Sequence, residues 1–446
     1  MTPFPISSAE TSMLEEAEHV SPSSPFAVLG GPGARLLAGP TRVEGAENFA
    51  DHERRLGPLK LDSSSQAELR EAIAQSGLLG RGGGQFPVAR KLELAASSPG
   101  APLVVVNASE GEPASRKDRT LLEMRPHLVL DGAMVAARAV DANEIVIYLH
   151  RARPDAITSL ERAIAERSRD TATVRLIDAP ARYVAGESSA VVSYLGGTGA
   201  LPRRHSIPLA ASGVSGRPTV VNTAETIAHL ALIARRGPKW FAEVGAASSP
   251  GSTLVTLAGE VTVPGVVAEM VGPVKIRQLL STIGGLDQAP RAVLIGGYEG
   301  VWLDGSTAWG ITLDRGPLQR CGASLGCGVL AILGETSCGL ATTTRLVRWL
   351  AGESAGQCGP CVFGLPAIAD LLDALTDGVA VRRDLSRLHR LCAAVDGRGA
   401  CGHPSGVVGL VESALETFEP EVRDHLHGRS CPAAEHGFPI PHQRNT

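Results

Sequence analysis

The sequence predicts an α/β protein in three parts: a three-layer α/β domain, a small α+β module, and a C-terminal helical region whose helices suit a four-helix bundle. Three observations carry this. Short β-branched runs alternate with helical runs over residues 65–240, the pattern of a parallel sheet covered by helices. The alternation breaks over 245–325, where short strands gather around one short helix. From 335 to 430 the pattern is almost wholly helical. A chain of 446 residues also exceeds what one compact core accommodates, so several domains are expected.

Residues 1–60 are rich in Pro, Ser, Gly and Ala without sustained periodicity and read as an extended, partly ordered N-terminal arm. SSSQAELREAIAQSG then places a serine cap, helix formers and a closing glycine in helical order. The glycine-rich loop LLGRGGGQFP follows at once. Next come the strand PLVVVNAS, the helix LVLDGAMVAARAV, the strand EIVIYLH, the helix DAITSLERAIAERS and the strand TVRLIDA. STLVTLAGEV, PGVVAEMV, VKIRQLLSTIG and AVLIGGYEG make up the small module. TTTRLVRWLAG, LPAIADLLDALTDG, RRDLSRLHRLCAAVDG and VVGLVESALETF supply the bundle, and 431–446 reads as a tail.

A net charge of −4 with no basic stripe argues against nucleic-acid binding. No run reaches the ~18 apolar residues of a membrane span, and the acidic N-terminal stretch MTPFPISSAETSMLEEAEHV lacks the basic start and apolar core of a secretory signal. The expected location is cytoplasmic, free or peripheral to a membrane complex. All eight cysteines lie beyond residue 320, which does not suit a disulfide framework for the whole chain.

Four polar clusters punctuate the α/β domain. GRGGGQF, residues 80–86, lets backbone N–H groups approach an anion and leaves room for a flat ring, although it fits neither the dinucleotide fingerprint nor a P-loop. NASEGEPASRKDR, residues 107–119, puts an Asn and two carboxylates at the end of a strand, where α/β proteins place ligands. YVAGESSAVVSYLGG and TVVNTAETIAHL repeat the theme. Together they point to one shared ligand; singly, each reads equally well as a turn, a cap or a solvated loop. In ESAGQCGPC, residues 353–361, Cys358 and Cys361 form a C-x2-C pair, and the 39 residues before Cys401 suffice for two antiparallel helices that return the chain to the same end. Iron–sulfur, zinc and thiol–disulfide chemistry all remain open on that spacing.

In this order the motifs resemble those of the NADH-binding flavoprotein subunit of respiratory complex I and of the related diaphorase subunits of soluble hydrogenases and formate dehydrogenases. The family's GRGGAGFP, NADEGEPG, YICGEETA, NNVET and ESCGxCxPC occur here as GRGGGQFP, NASEGEPA, YVAGESSA, NTAET and ESAGQCGPC. The resemblance covers residues 65–430. It implies a Rossmann-like FMN domain, a ubiquitin-like module of the SLBB type, and a bundle carrying one [4Fe-4S] cluster. It also implies that NADH reduces FMN and that single electrons leave through the cluster.

Carried over position by position, the flavin contacts are Gly80, Gly82, Lys91, Asn107, Glu110, Tyr183, Gly186, Glu187 and Asn222. Glu112 matches a residue that holds the nicotinamide nucleotide and Phe86 an aromatic that stacks on it, and Glu112 and Glu187 stand as the catalytic candidates. Cys358, Cys361 and Cys401 match three of the four cluster ligands, and Ala355 takes the place of the first. Cys338 lies seventeen residues before Ala355, roughly 25 Å away if that stretch is helical. His403 is the better substitute, because it shares the returning loop with Cys401 and imidazole binds iron in some clusters. Ser354, an exchangeable fourth ligand and a [3Fe-4S] cluster are alternatives.

Other nucleotide features are absent: Ser188, Ser109 and Thr223 replace a Glu, an Asp and an Asn, and no aromatic precedes SGVSGRPT. The expected function is FMN- and iron–sulfur-dependent electron transfer from NAD(P)H or another donor to a partner subunit or ferredoxin-like protein. A scaffold or relay subunit that lost NADH binding is the alternative.

Overall fold

The structure is a computed structural model that describes residues 26–429, except 32, 41–44, 62–63, 168–171 and 205–206, together with residue 440. The tail expected over 431–446, Cys431 included, therefore lies outside the described residues apart from Ile440. The first described strand, β1 (Phe26–Leu29), belongs to a sheet completed much later in the chain. β2 (Leu103–Ala108), β3 (Glu144–His150), β4 (Thr173–Ala179) and β5 (Thr219–Thr223) form an all-parallel sheet in the order β4-β3-β2-β5. The middle strands β2 and β3 are buried along most of their length because helices cover both faces, whereas β4 exposes Thr173 and Arg175 at the edge.

The helix Gln66–Ser76 shows how directly local sequence sets an element. Ser65 accepts the Glu68 N–H at 3.2 Å, Glu68 accepts the Ser65 N–H at 2.7 Å, and Gly77 closes the helix in the left-handed region at φ 68°. The helix Pro126–Val140, buried along almost all of its length, packs with Ala224–Ala242 as the core of this domain.

A six-stranded mixed sheet follows, built from β1, β6 (Thr253–Gly259), β7 (Val267–Met270), β8 (Ala292–Ile295), β9 (Val301–Asp304) and β10 (Val329–Leu333), in the order β1-β7-β6-β10-β8-β9. It draws one strand from the N-terminal arm and one from beyond residue 325, so it exceeds the stretch 245–325 at both ends.

The arm departs from the extended segment that the sequence suggests. Its described part carries β1 and the helix Phe49–Leu56 and buries Leu36 and Leu37 completely. The cause is Glu269, a buried carboxylate on β7 that accepts the N–H groups of Arg35, Leu36 and Leu37 and the hydroxyl of Ser252. Arg125 grips the other side of the arm through the carbonyls of Leu37, Ala38 and Pro40. Low hydrophobicity and scattered prolines hide both ties.

The C-terminal region is helical, with Gly339–Gly352, Leu365–Thr376, Arg382–Val395, His403–Thr417 and a fifth short helix, Glu419–Leu426, around their own apolar core. No helix among the described residues is long and apolar enough to cross a membrane.

Candidate functional site

Strands β3 and β4 lie on one side of β2 and β5 lies on the other, so the chain leaves the sheet in opposite directions and opens a crevice at the carboxyl ends of β2 and β5. A cavity of about 600 Å³ lies there, within the size range of small-molecule sites. The glycine loop forms one wall with Gly82, Gly83 and Gly84. Asn107, Glu110 and Glu112, on and after β2, face it together with Tyr183, Gly186, Glu187 and Thr223. Glu299 and Cys327 reach in from loops of the mixed sheet, and Cys401 and His403 from the helical region. All three parts of the chain thus border one space.

The loop is closed at its base by a bridge between Leu79 and Pro87, and Gly80 donates its N–H to the Phe86 carbonyl at 3.0 Å. A Cβ on Gly82 would stand 2.8 Å from the Thr223 methyl, and one on Gly186 would stand 2.7 Å from the Ser109 hydroxyl. Both glycines are required by close approach rather than by flexibility. The result is a bare wall opposite a polar one, which suits a flat ring with polar edges.

The acidic residues divide by what they already bind. Glu110 turns its carboxylate to Ser115 and to the N–H groups of Asp118 and Arg119, at the start of the helix Lys117–Met124. Glu187 caps the helix Ser188–Leu195 through the N–H groups of Ser189 and Ala190 at 2.9 and 3.0 Å. Glu112 is buried, accepts the Tyr298 N–H at 2.9 Å and lies 3.4 Å from the Tyr183 hydroxyl. Burial pushes its carboxyl up to about 7, and the hydrogen bonds from Tyr298 and Ala114 only partly oppose that. The Asn107 amide is fixed by donation to the Gly186 carbonyl at 2.7 Å and acceptance from Ser109 at 2.8 Å.

Not every expected residue lines this cavity. Phe86 and Lys91 border a neighbouring pocket of about 270 Å³, together with Ser188. The Lys91 ammonium donates to the Val221 carbonyl and to Asn222 Oδ1, and burial lowers its pKa to about 8. Asn222 is buried beneath, and its Nδ2 meets no acceptor among the described residues. Gly80 borders a third, small pocket beside Arg81.

The cysteines Cys358, Cys361 and Cys401 come together where the loops before Leu365–Thr376 and His403–Thr417 meet. Burial would raise the Cys358 thiol, but backbone N–H groups of Ala400 and Cys361 outweigh it and the net shift is downward. Cys361 is pushed up to about 12, first by burial and then by Cys358, with Cys401 adding to the effect. Each sulfur feels the others. Among the described residues, no three His, Cys, Asp or Glu side chains close on a point as ligands to a single metal ion would.

His403, the fourth ligand that the resemblance suggests, is buried at the start of the helix His403–Thr417. Its Nδ1 meets Glu299 Oε1 at 2.5 Å and its Nε2 the Leu350 carbonyl at 3.0 Å, so both ring nitrogens are engaged. Cys338 caps the far end of the helix Gly339–Gly352 and donates to Glu421 at 3.0 Å. Cys392 is buried in the helical core.

A family model described as the Nuo51 FMN-binding domain matches residues 73–232, and one described as the NADH-ubiquinone oxidoreductase-F iron-sulfur binding region matches 341–425. The F 2 subunit of the NADH-quinone oxidoreductase of Rhizobium meliloti (strain 1021) is 31% identical over 382 residues, 82% of this chain and 90% of the relative. The chain belongs to this NADH-quinone oxidoreductase flavoprotein family. The NADP-reducing hydrogenase subunit HndC of Solidesulfovibrio fructosivorans is 28% identical, over 84% of this chain and 80% of its own length. Among solved structures, that of an NAD+-reducing [NiFe]-hydrogenase in the H2-reduced state matches with a TM-score of 0.76 at 26% identity, over 85% of this chain and 67% of that one. As a member of the family the chain is an electron-transfer subunit with an FMN-binding domain and a 4Fe-4S region.

Sequence reasoning misses part of the cavity. Cys327 and Glu299 lie in loops of the mixed sheet with no motif to mark them. Lys117 is visible within SRKDR but its role is not: it is buried in an ion triad with Asp118 at 3.1 Å and Glu225 at 2.9 Å. Glu225 in turn accepts the Leu254 N–H at 2.8 Å, which joins the α/β domain to β6.

Proposed function

We propose that this subunit takes electrons from a nicotinamide nucleotide into FMN at the β2–β5 crevice and passes them through a cluster at Cys358, Cys361 and Cys401 to a partner subunit or ferredoxin-like protein. The observation that carries the reading is that Gly82–Gly84 and Cys401 border one cavity, so a ring against the glycine wall has the cluster loop as its neighbour. FMN, when bound, exchanges a two-electron donor for one-electron acceptors, and the cluster supplies the first of those. The chain's own residues do the positioning. Gly82 and Gly186 keep the crevice clear, Asn107 presents an amide already fixed by Ser109 and Gly186, and Tyr183 stands with Glu112 on the opposite wall. With its pKa near 7, Glu112 gains or loses a proton close to neutrality.

The nucleotide is assigned to the adjoining pocket of Phe86, Lys91 and Ser188. Phe86 is 48% exposed there and free to stack on a base. Ser188 stands where the family motif carries a second glutamate, and losing a carboxylate partner of this kind costs about 1–3 kcal/mol. Weakened NADH binding follows, and Ser188→Glu is expected to tighten it roughly tenfold, read by equilibrium titration; no change would remove the nucleotide from this pocket. The mixed sheet is assigned as the SLBB-type module and the helical region as the family's bundle, extended by a fifth helix. The reading as a whole is tested by two variants: Gly82→Ala is expected to lose flavin and keep iron, and Cys358→Ser to lose iron and keep flavin. A folded wild-type protein with neither would favour the scaffold reading instead.

A further inference from the structure

We propose that the carboxyl ends of β2, β3 and β4 form a binding site for a small phosphate-bearing anion, distinct from the flavin crevice and sharing a wall with it. A second cavity of about 350 Å³ opens there. Four guanidinium side chains line it: Arg116 and Arg119 from the segment after β2, Arg153 from the turn after β3, and Arg182 from the turn after β4. Two carboxylates do so, Glu110 and Glu353; Glu110 Oε2 lies 3.8 Å from Arg153 Nη1, and Arg119 Nε lies 3.9 Å from Glu123. Glu110 receives Ser115 and the Asp118 and Arg119 N–H groups, and Glu353 receives the Tyr183 N–H at 3.0 Å. This concentration of positive charge stands in a chain of net charge −4.

With four guanidinium groups against two lining carboxylates, the wall keeps a net positive charge. Arg153 is held below the usual arginine range, first by burial; Arg119 and Arg116 push the same way, while Glu110 and Glu123 oppose them. An anion between them balances that charge, and the planar forks of arginine match phosphate oxygens in pairs. The carboxyl ends of parallel strands are also where α/β sheets present ligands.

The site is coupled to the flavin cavity. Ser109, Glu110, Gly111 and Tyr183 line both spaces. Arg153 donates to the Glu110 carbonyl at 3.2 Å, and Glu110 holds a positive φ of 43°, a conformation few residues other than glycine adopt. An anion on Arg153 therefore bears on the turn that carries Glu112.

The test is calorimetric titration of the full-length, FMN-loaded protein with inorganic pyrophosphate, a probe whose binding does not depend on nucleotide oxidation. Binding that weakens at least tenfold in Arg182→Gln, an exposed position, and in Arg153→Gln supports the site; Lys239→Gln serves as the control. If Arg182→Gln also weakens NADPH but not NADH, and pyrophosphate competes with NADPH, the phosphate is the end of the dinucleotide. If pyrophosphate binds without competing, the ligand is a free phosphorylated metabolite. No binding up to millimolar concentration, equal binding in both variants, or binding of an acidic peptide in place of pyrophosphate overturns the proposal.

Discussion

At position 355 a methyl group stands where the family motif has a cysteine, while Cys358, Cys361 and Cys401 are proposed as the cluster's thiolate ligands. Glu299 and the Leu350 carbonyl hold both nitrogens of His403, and we propose that it does not compensate. His403→Gln is therefore expected to retain the iron content of the wild type and to lose about 2 kcal/mol of stability through its broken buried hydrogen bonds; loss of iron would return His403 to the ligand set. Ala355→Cys is expected to raise iron toward four per chain and to lower the cluster's reduction potential, checked by iron analysis and redox titration.

Glu112 gives a pH signature. Its carboxyl is raised from 4.5 to about 7 in the folded protein, so the neutral form is the one the fold favours. The stabilisation is complete below the unfolded value of 4.5 and disappears as pH rises through 7, a change of about 3 kcal/mol. Glu112→Gln should match the wild type in thermal stability near pH 4.5 and exceed it above pH 8. Equal pH profiles would show that the carboxyl titrates normally.

Among the elements, the N-terminal arm makes the clearest prediction. Glu269→Ala leaves the N–H groups of Arg35, Leu36 and Leu37 and the Ser252 hydroxyl without their acceptor, which is expected to cost about 3 kcal/mol or more in denaturant unfolding and to expose the arm to limited proteolysis. The arm is illegible in the sequence because its main anchor is a single residue far along the chain, 233 positions beyond Leu36, with no local period. The opposite holds for Gln66–Ser76 and Glu144–His150, where caps, period and β-branched content are all local and the boundaries match the sequence reading. The mixed sheet falls between these cases: its central strands are readable, but β1 and β10 join it through pairing that nothing nearby in the chain encodes.

For the whole molecule, the ordered motifs place Asn107, Tyr183, Gly186 and Cys401 on one cavity, and that much of the site is readable from the chain alone. What the motifs leave out is contact between parts: Cys327 and Glu299 arrive from the mixed sheet, and Glu225, paired with Lys117, fastens that sheet to the flavin domain. One chain is proposed to hold flavin and a three-thiolate cluster side by side. This is tested most directly by an anaerobic visible spectrum of the purified protein with flavin, iron and sulfide quantified, before and after NADH or NADPH. About one flavin per chain, roughly three to four irons, and bleaching of both chromophores on adding nucleotide is the expected result. Folded protein without flavin and iron, or flavin that bleaches while the cluster does not respond, would contradict it.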